Sequence, residues 1–292
     1  MREPPGEPPA PGPVVLRIRL GATLRRLRES RGITAQRAAQ EIRGSDSKIS
    51  RIELGRHAAK EIDVADLLTL YGVTDEDERD ELLALASQAL APPWWRPYAD
   101  LLPPWFQAYL GVEEAAASVR TYDTHFVPGL LQTGEYAAGL LATAGFGTAQ
   151  AARLLEVGAR RAERFAAAGW RLAAVIDEAV LRRPVGGQRA FAAQLEHLRD
   201  AAGWPGVTVR IRPLAAGAPL SPAGFTLLHF AHGVLPDAVY SEQLTTASYL
   251  DRPADVARYA AAMDLLEHGS EPADRTAAFV ADALARLGEA RG

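Results

Sequence analysis

Residues 33–56 of this chain read ITAQRAAQEIRGSDSKISRIELGR and have the spacing of two short helices joined by a tight turn. Gly44 is expected to break the first helix. Ser45 is placed to cap the second by accepting a hydrogen bond from its free N–H groups. Ile49 and Ile52, at i and i+3, would then pack one apolar edge of the second helix onto the first. This arrangement predicts a helix-turn-helix motif.

The opposite edge of the second helix carries polar and charged side chains. In a helix-turn-helix motif this recognition helix lies in the major groove of DNA, with its N-terminal residues against base edges. The residues predicted to contact DNA from the helix and its cap are Ser45, Asp46, Ser47, Lys48, Ser50 and Arg51. Arg51 can offer a bidentate fork to a guanine, and Lys48 is expected to contact a base or phosphate nearby.

Further DNA contacts are predicted from side chains around the recognition helix. Arg25 and Arg28 lie three residues apart on a helix that precedes the motif, and Arg56 follows the recognition helix. We expect these three arginines to contact phosphates rather than bases. Gln36 and Arg37, at the start of the first motif helix, complete the predicted DNA-binding set.

Charge is distributed unevenly along the chain. Residues 16–60 contain twelve Lys and Arg against four Asp and Glu, a net charge of +8, although the whole chain is at −4. A basic segment on an acidic remainder indicates a polyanionic partner at one end of the chain only. The alternative interpretation is that the arginines lie on solvated helix faces.

Composition excludes several kinds of site. The chain has no Cys, so disulfides, thiolate zinc sites and cysteine nucleophiles are ruled out. No apolar stretch approaches the roughly 18 residues of a membrane span, and the N-terminus lacks the apolar region of a signal peptide. We therefore expect a cytoplasmic protein without a membrane partner. Residues 1–15 contain six prolines and are predicted to form a disordered tail.

Periodicity divides the rest of the chain into two domains joined by a linker. Residues 16–91 are predicted to form five helices, of which the motif supplies the second and third. Residues 92–104 are rich in Pro and Trp, which predicts a stiff, docked linker. Residues 105–288 are predicted to form an α+β domain whose small sheet is covered by helices. Its predicted helices cover residues 134–144, 148–168, 189–202, 253–268 and 274–287, and its strands cover residues 171–176, 207–212, 225–230 and 238–241.

The N-terminal segment resembles the Xre, or lambda-repressor-like, regulators. The resemblance lies in KISRIELGR at residues 48–56 and in LRRLRE at residues 24–29. The family usually places its turn glycine at the position of Arg43, whereas this chain has glycine one residue later. The resemblance implies a five-helix domain that binds operator DNA.

The C-terminal half resembles the WhiJ-like, antitoxin-like domains that are fused to Xre domains in actinobacteria. The similar stretches are FVPGLLQTGEYA at residues 126–137, VIDEAVLRRPVGG at residues 175–187 and QLEHL at residues 194–198. This resemblance implies a transcription factor that is often paired with a small protein encoded beside it.

Two groups of polar residues in the C-terminal half are candidate sites. Asp177 and Glu178 follow a predicted strand, where α/β enzymes place acids and bases, but no nucleophile or orienting group accompanies them. We therefore interpret the pair as a helix cap that also neutralises nearby arginines, and predict no catalytic residue. His229 and His232 are too few for a metal site, which needs three or four convergent ligands. No metal and no cofactor are predicted.

The predicted function is sequence-specific regulation of transcription by a homodimer on operator DNA. The C-terminal domain would provide dimerisation and bind a partner or effector. One alternative is an antitoxin-like module that sequesters a small partner protein and regulates its own expression. A second alternative, in another class, is an enzyme domain fused to a helix-turn-helix.

Overall fold

A bundle of five helices precedes a domain built around a six-stranded mixed sheet. This confirms the predicted combination of an all-α domain and an α+β domain. No helix of the described chain is long and apolar enough to span a bilayer. The computed structural model describes residues 12–55, 57–169, 171–218, 221, 223–230 and 235–289.

The N-terminal bundle begins earlier in the chain than the sequence suggested. Pro13 is the first residue of the first helix. An N–H at this position has no acceptor within the helix, so proline removes no hydrogen bond there. Val15 is buried. The prediction of a disordered tail is therefore wrong for residues 13–15, whereas residues 1–11 lie outside the described residues. The five helices are α1 (Pro13–Ser30), α2 (Ala35–Glu41), α3 (Asp46–Glu53), α4 (Glu61–Leu70) and α5 (Glu76–Ala89).

The turn between α2 and α3 is closed by two backbone hydrogen bonds. The N–H of Gly44 donates to the carbonyl of Ala39 (2.8 Å), and the N–H of Arg43 donates to the carbonyl of Gln40 (3.2 Å). This helix ending places residue 43 in the left-handed region, and Arg43 has a φ of +49°. The expectation that Gly44 is the turn residue is thus wrong in detail, because the left-handed position falls on Arg43.

The helices α1 and α3 cross closely enough to require glycine on both sides. A Cβ on Gly21 would lie 2.3 Å from the carbonyl oxygen of Ile52, and one on Gly55 would lie 2.5 Å from the side chain of Ile18. Gly55 also has a φ of +66°, a conformation that glycine adopts without steric cost. This crossing sets the position of α3 on the bundle.

The C-terminal domain contains all the predicted helices and strands. The sequence did not predict the first helix, the first strand or the last strand of this domain. Its helices are α6 (Pro104–Glu113), α7 (Gly134–Thr143), α8 (Thr148–Ala168), α9 (Gly187–Ala201), α10 (Pro253–His268) and α11 (Thr276–Glu289). Its strands are β1 (Ser118–Asp123), β2 (Arg171–Asp177), β3 (Val207–Arg212), β4 (Phe225–His229), β5 (Ala238–Glu242) and β6 (Ala247–Leu250).

The sheet has the strand order β3-β2-β1-β4-β5-β6. The first three strands in this order are parallel, and β4, β5 and β6 each run antiparallel to the preceding neighbour. One face packs Tyr122 and Val175 against Met263 of α10. The other face carries Ile176 and Tyr240 and is covered by α6, α8, α9 and α11. Both faces of the sheet are therefore buried, as expected for a sheet covered by helices.

The Pro- and Trp-rich segment is docked rather than extended. Trp95 and Tyr98 are buried, and the Tyr98 hydroxyl donates a hydrogen bond to Glu156 of α8 (2.8 Å). The first turn of α1 joins this cluster through Val14, whose side chain would clash with a Cβ on Gly111 of α6. The segment and α1 together connect the helical bundle to the C-terminal domain by packed contacts.

Candidate nucleic-acid interface

The recognition helix α3 is held by its cap and by one apolar edge. The Ser45 hydroxyl accepts a hydrogen bond from the N–H of Lys48 (3.2 Å), which confirms the predicted N-cap. Ile49 and Ile52 are buried at 1% and 2% exposure, as predicted. The polar residues of the opposite edge are exposed, namely Asp46, Ser47, Ser50 and Arg51.

Arg51 is the exposed cation of α3. Its Nε donates to the carbonyl of Ser47 (3.2 Å), one turn earlier on the same helix. Within the described part of the chain its guanidinium forms no ion pair. This hydrogen bond orients the side chain along the exposed edge and leaves both terminal nitrogens available as a fork.

Two predicted contact residues are instead bound within the bundle. The guanidinium of Arg28 donates to both carboxylate oxygens of Glu53 (2.6 and 2.9 Å) and to the carbonyl of Ile33 (2.8 Å), and the side chain is only 12% exposed. The Nζ of Lys48 donates to Asp63 of α4 (2.8 Å). Both side chains therefore connect helices, and a contact to DNA would require these part-buried ion pairs to break. The contacts predicted for Arg28 and Lys48 stay predictions that the structure does not favour.

The remaining predicted residues lie near the surface around α3. Arg25 pairs with Glu29 (2.8 Å) and Arg37 pairs with Glu41 (3.1 Å), in each case four residues along an exposed helix. Such surface pairs contribute little and can rearrange, so both arginines stay available to phosphates. Gln36 is exposed in the first turn of α2. Arg56 lies outside the described residues.

Arg43 was not among the predicted contacts, although the structure places it beside α3. Its side chain is exposed, and in the described residues it forms no hydrogen bond or ion pair. The charge of Arg43 next to a cap residue was visible in the sequence. A helical period does not identify Arg43 as a contact residue, because Arg43 lies in a turn.

These features define a helix-turn-helix domain, the class of domain found in DNA-binding regulators of transcription. Residues 19–82 match the helix-turn-helix domain family. Residues 106–282, more than half of the chain, match a domain of unknown function, DUF5753. The chain therefore belongs to the DUF5753 family and carries an N-terminal helix-turn-helix domain. No curated protein and no solved structure matches the chain.

The DUF5753 domain contains a buried ion pair between α6 and α8, next to the sheet. Arg161 of α8 donates two hydrogen bonds to Glu113 of α6, each of 2.6 Å, and the Glu113 side chain is 2% exposed. The hydroxyl of Tyr109 donates to the same carboxylate (2.6 Å). The ring of Tyr109 stacks on Tyr240 of β5 at 4.1 Å. This cluster ties two helices to the sheet.

Two further acids stand at the carboxyl ends of β1 and β5. Asp123 accepts a hydrogen bond from the Thr121 hydroxyl (2.7 Å), and Glu242 accepts one from Tyr240 (3.0 Å). Burial raises the pKa of Asp123 to about 6, and it also raises the pKa of Glu242. Asp123 was not a candidate from the sequence, because β1 was not predicted.

The two acids at the carboxyl end of β2 have the structural role expected from the sequence. Asp177 caps the short helix after the strand by accepting from the N–H of Ala179 (2.9 Å). Glu178 accepts from the guanidinium of Arg182 and from the N–H of Leu214. Both carboxylates are therefore engaged in local hydrogen bonds that hold the strand end in place.

The histidines near β4 do not form a larger ligand set in the described chain. The Nδ1 of His229 lies 2.9 Å from a carboxylate oxygen of Asp237, and His232 lies outside the described residues. Within the residues that the structure describes, no group of three or more His, Asp or Glu side chains is placed to hold a metal ion.

Proposed function

We propose that this protein is a sequence-specific regulator of transcription that binds operator DNA as a homodimer in the cytoplasm. The observation that carries the proposal is α3, a capped helix in a matched helix-turn-helix domain with an exposed polar edge and an unpaired Arg51. One such domain offers little contact surface, so two-fold pairing on a palindromic site is the usual arrangement.

The proposed contacts follow the exposure of the side chains. We assign base contacts to the edge of α3, with Arg51 as the main reader of sequence. Phosphate contacts fall to Arg25, Gln36 and Arg37 around it, because their side chains are exposed or weakly paired. Ser45 contributes chiefly as the cap of α3. The contact predicted for Arg56 stays a prediction.

An Arg51→Ala variant should lose sequence preference more than general affinity for DNA. A bidentate contact to guanine contributes about 1–3 kcal/mol of discrimination. The full chain would first be used to enrich duplexes from a random-sequence pool. The variant should then bind the enriched duplex at least about tenfold more weakly and tolerate changes at one base pair.

The control for this experiment is Arg199→Ala. Arg199 lies in the C-terminal domain, and its side chain is 48% exposed. The substitution removes the same charge and should leave the affinity for the enriched duplex unchanged. Equal losses by Arg51→Ala on enriched and random duplexes would contradict a base-reading role for Arg51.

The full chain should sediment as a dimer and protect a palindromic DNA site. Two recognition helices must sit about 34 Å apart to meet successive major grooves, which requires a firm connection between the bundle and the dimerising domain. The packed contacts between α1 and α6 supply such a connection. Sedimentation of the full chain with and without the enriched duplex measures the stoichiometry.

A monomer on a site without two-fold symmetry would overturn the dimeric arrangement. The Xre and WhiJ-like relationship and the antitoxin-like alternative stay proposals from sequence resemblance. Recovery of a stoichiometric small protein from the native host would favour that alternative, and substrate turnover that is lost on changing Asp177 would favour an enzyme domain.

A further inference from the structure

Arg43 stands out through its backbone conformation. In the described chain it is the non-glycine residue with a positive φ, at +49°. Three comparable helix ends of the same domain use glycine, at Gly32, Gly55 and Gly72, with φ values of +62°, +66° and +68°. A side chain with a Cβ is strained in this region because the Cβ crowds the following carbonyl. The chain therefore keeps an arginine where it elsewhere uses glycine.

The conformation at position 43 is imposed by the turn. The hydrogen bonds from Gly44 to Ala39 and from Arg43 to Gln40 close the end of α2 and require a left-handed residue between them. Arginine cannot relieve the strain by moving to another region without breaking these bonds. Its presence therefore needs a reason other than the local backbone.

The Arg43 side chain does not offset this strain with polar contacts to the described residues. It is exposed and has no hydrogen-bond or ion-pair partner among the described residues. By contrast, Arg25, Arg28 and Arg37 are each paired with a carboxylate of the same domain. Backbone strain that no contact of the same residue offsets is commonly found at functional sites.

The position of Arg43 indicates what it contacts. It lies two residues before Ser45, the N-cap of α3, and therefore next to the N-terminal end of the recognition helix. In a helix-turn-helix domain this end of the helix faces the base edges in the major groove. We infer that Arg43 binds a phosphate of the DNA backbone beside the groove occupied by α3. This inference rests on the proposed function and adds a contact that anchors the N-terminal end of the recognition helix.

Arg43→Gly tests the inference because its two expected effects have opposite signs. Glycine relieves the backbone strain, so the thermal unfolding midpoint of the full chain should rise by about 2 °C. Loss of the phosphate contact should weaken binding to enriched and random duplexes alike, by about tenfold. It should also make the log–log salt dependence shallower by about 0.9 units.

Arg43→Lys and Arg199→Ala serve as controls. Lysine keeps the charge and should retain the salt dependence, whereas Arg199→Ala removes a distant charge and should leave both binding and its salt dependence unchanged. An Arg43→Gly variant that binds with unaltered affinity and salt dependence would overturn the inference while the proposed function stands. If the unmodified chain enriches no duplex, the proposed function fails, and the inference fails with it.

Discussion

A Glu113→Ala variant is expected to lose about 3–5 kcal/mol of unfolding free energy. The substitution leaves the guanidinium of Arg161 largely buried without its counter-charge, because both of its hydrogen bonds of 2.6 Å end on Glu113. The hydroxyl of Tyr109 loses its acceptor in the same step. Chemical denaturation of the full chain measures the loss.

Two comparisons separate the buried pair from the effect of removing any acid. Glu163→Ala removes an exposed carboxylate of α8 and should change the unfolding free energy by less than about 0.5 kcal/mol. The double variant Glu113→Leu/Arg161→Leu should recover much of the stability, since apolar residues can replace a buried ion pair at little cost. Similar losses for Glu113→Ala and Glu163→Ala would refute the importance of the pair.

The sequence predicted best those elements that carry their own boundary signals. For α10 the prediction gave the bounds of the structure, with Pro253 at its first turn and glycine after its last residue. The start of α3 was predicted from Ser45, whose cap hydrogen bond is present. Local chemistry fixes these ends, so no tertiary information is needed to find them.

The strands that the sequence did not predict depend on distant partners. β1 contains Arg120, which pairs with Asp264 and Glu267 of α10 (2.6 and 2.9 Å). A charged residue in a short segment does not suggest a central strand until the fold brings these carboxylates to it. β6 has four residues and one strand partner, too short for alternation to be recognised.

The candidate interface also depends on distant partners that sequence patterns do not reveal. A helical period places Arg28 on the helix before the motif and Lys48 on the recognition helix, but it cannot show that Glu53 and Asp63 lie beside them. Nor does it reveal that position 43 is left-handed, because the glycine of this chain comes one residue later than the turn glycine of the similar family. Pairing and backbone conformation, rather than residue type, therefore decide which cations stay free for DNA.

Gly21→Ala should weaken DNA binding and destabilise the bundle together. The new methyl group would meet the carbonyl oxygens of Ile52 and Glu53 at 2.3 and 2.8 Å, so α1 and α3 must move apart. Overpacking of this kind costs about 1–3 kcal/mol. A displaced α3 should also lose the contact proposed for Arg51, which corresponds to a decrease in affinity of about tenfold or more.

The same substitution on α8 supplies a matched control of opposite sign. Gly158 lies within a helix, is exposed, and has nothing within 4 Å of the position of a Cβ. Gly158→Ala should therefore stabilise the full chain by about 0.5–1 kcal/mol, because alanine loses less backbone entropy in a helix. Its affinity for the enriched duplex should not change. If Gly21→Ala were also stabilising and bound DNA normally, the close crossing of α1 and α3 would not be what positions the recognition helix.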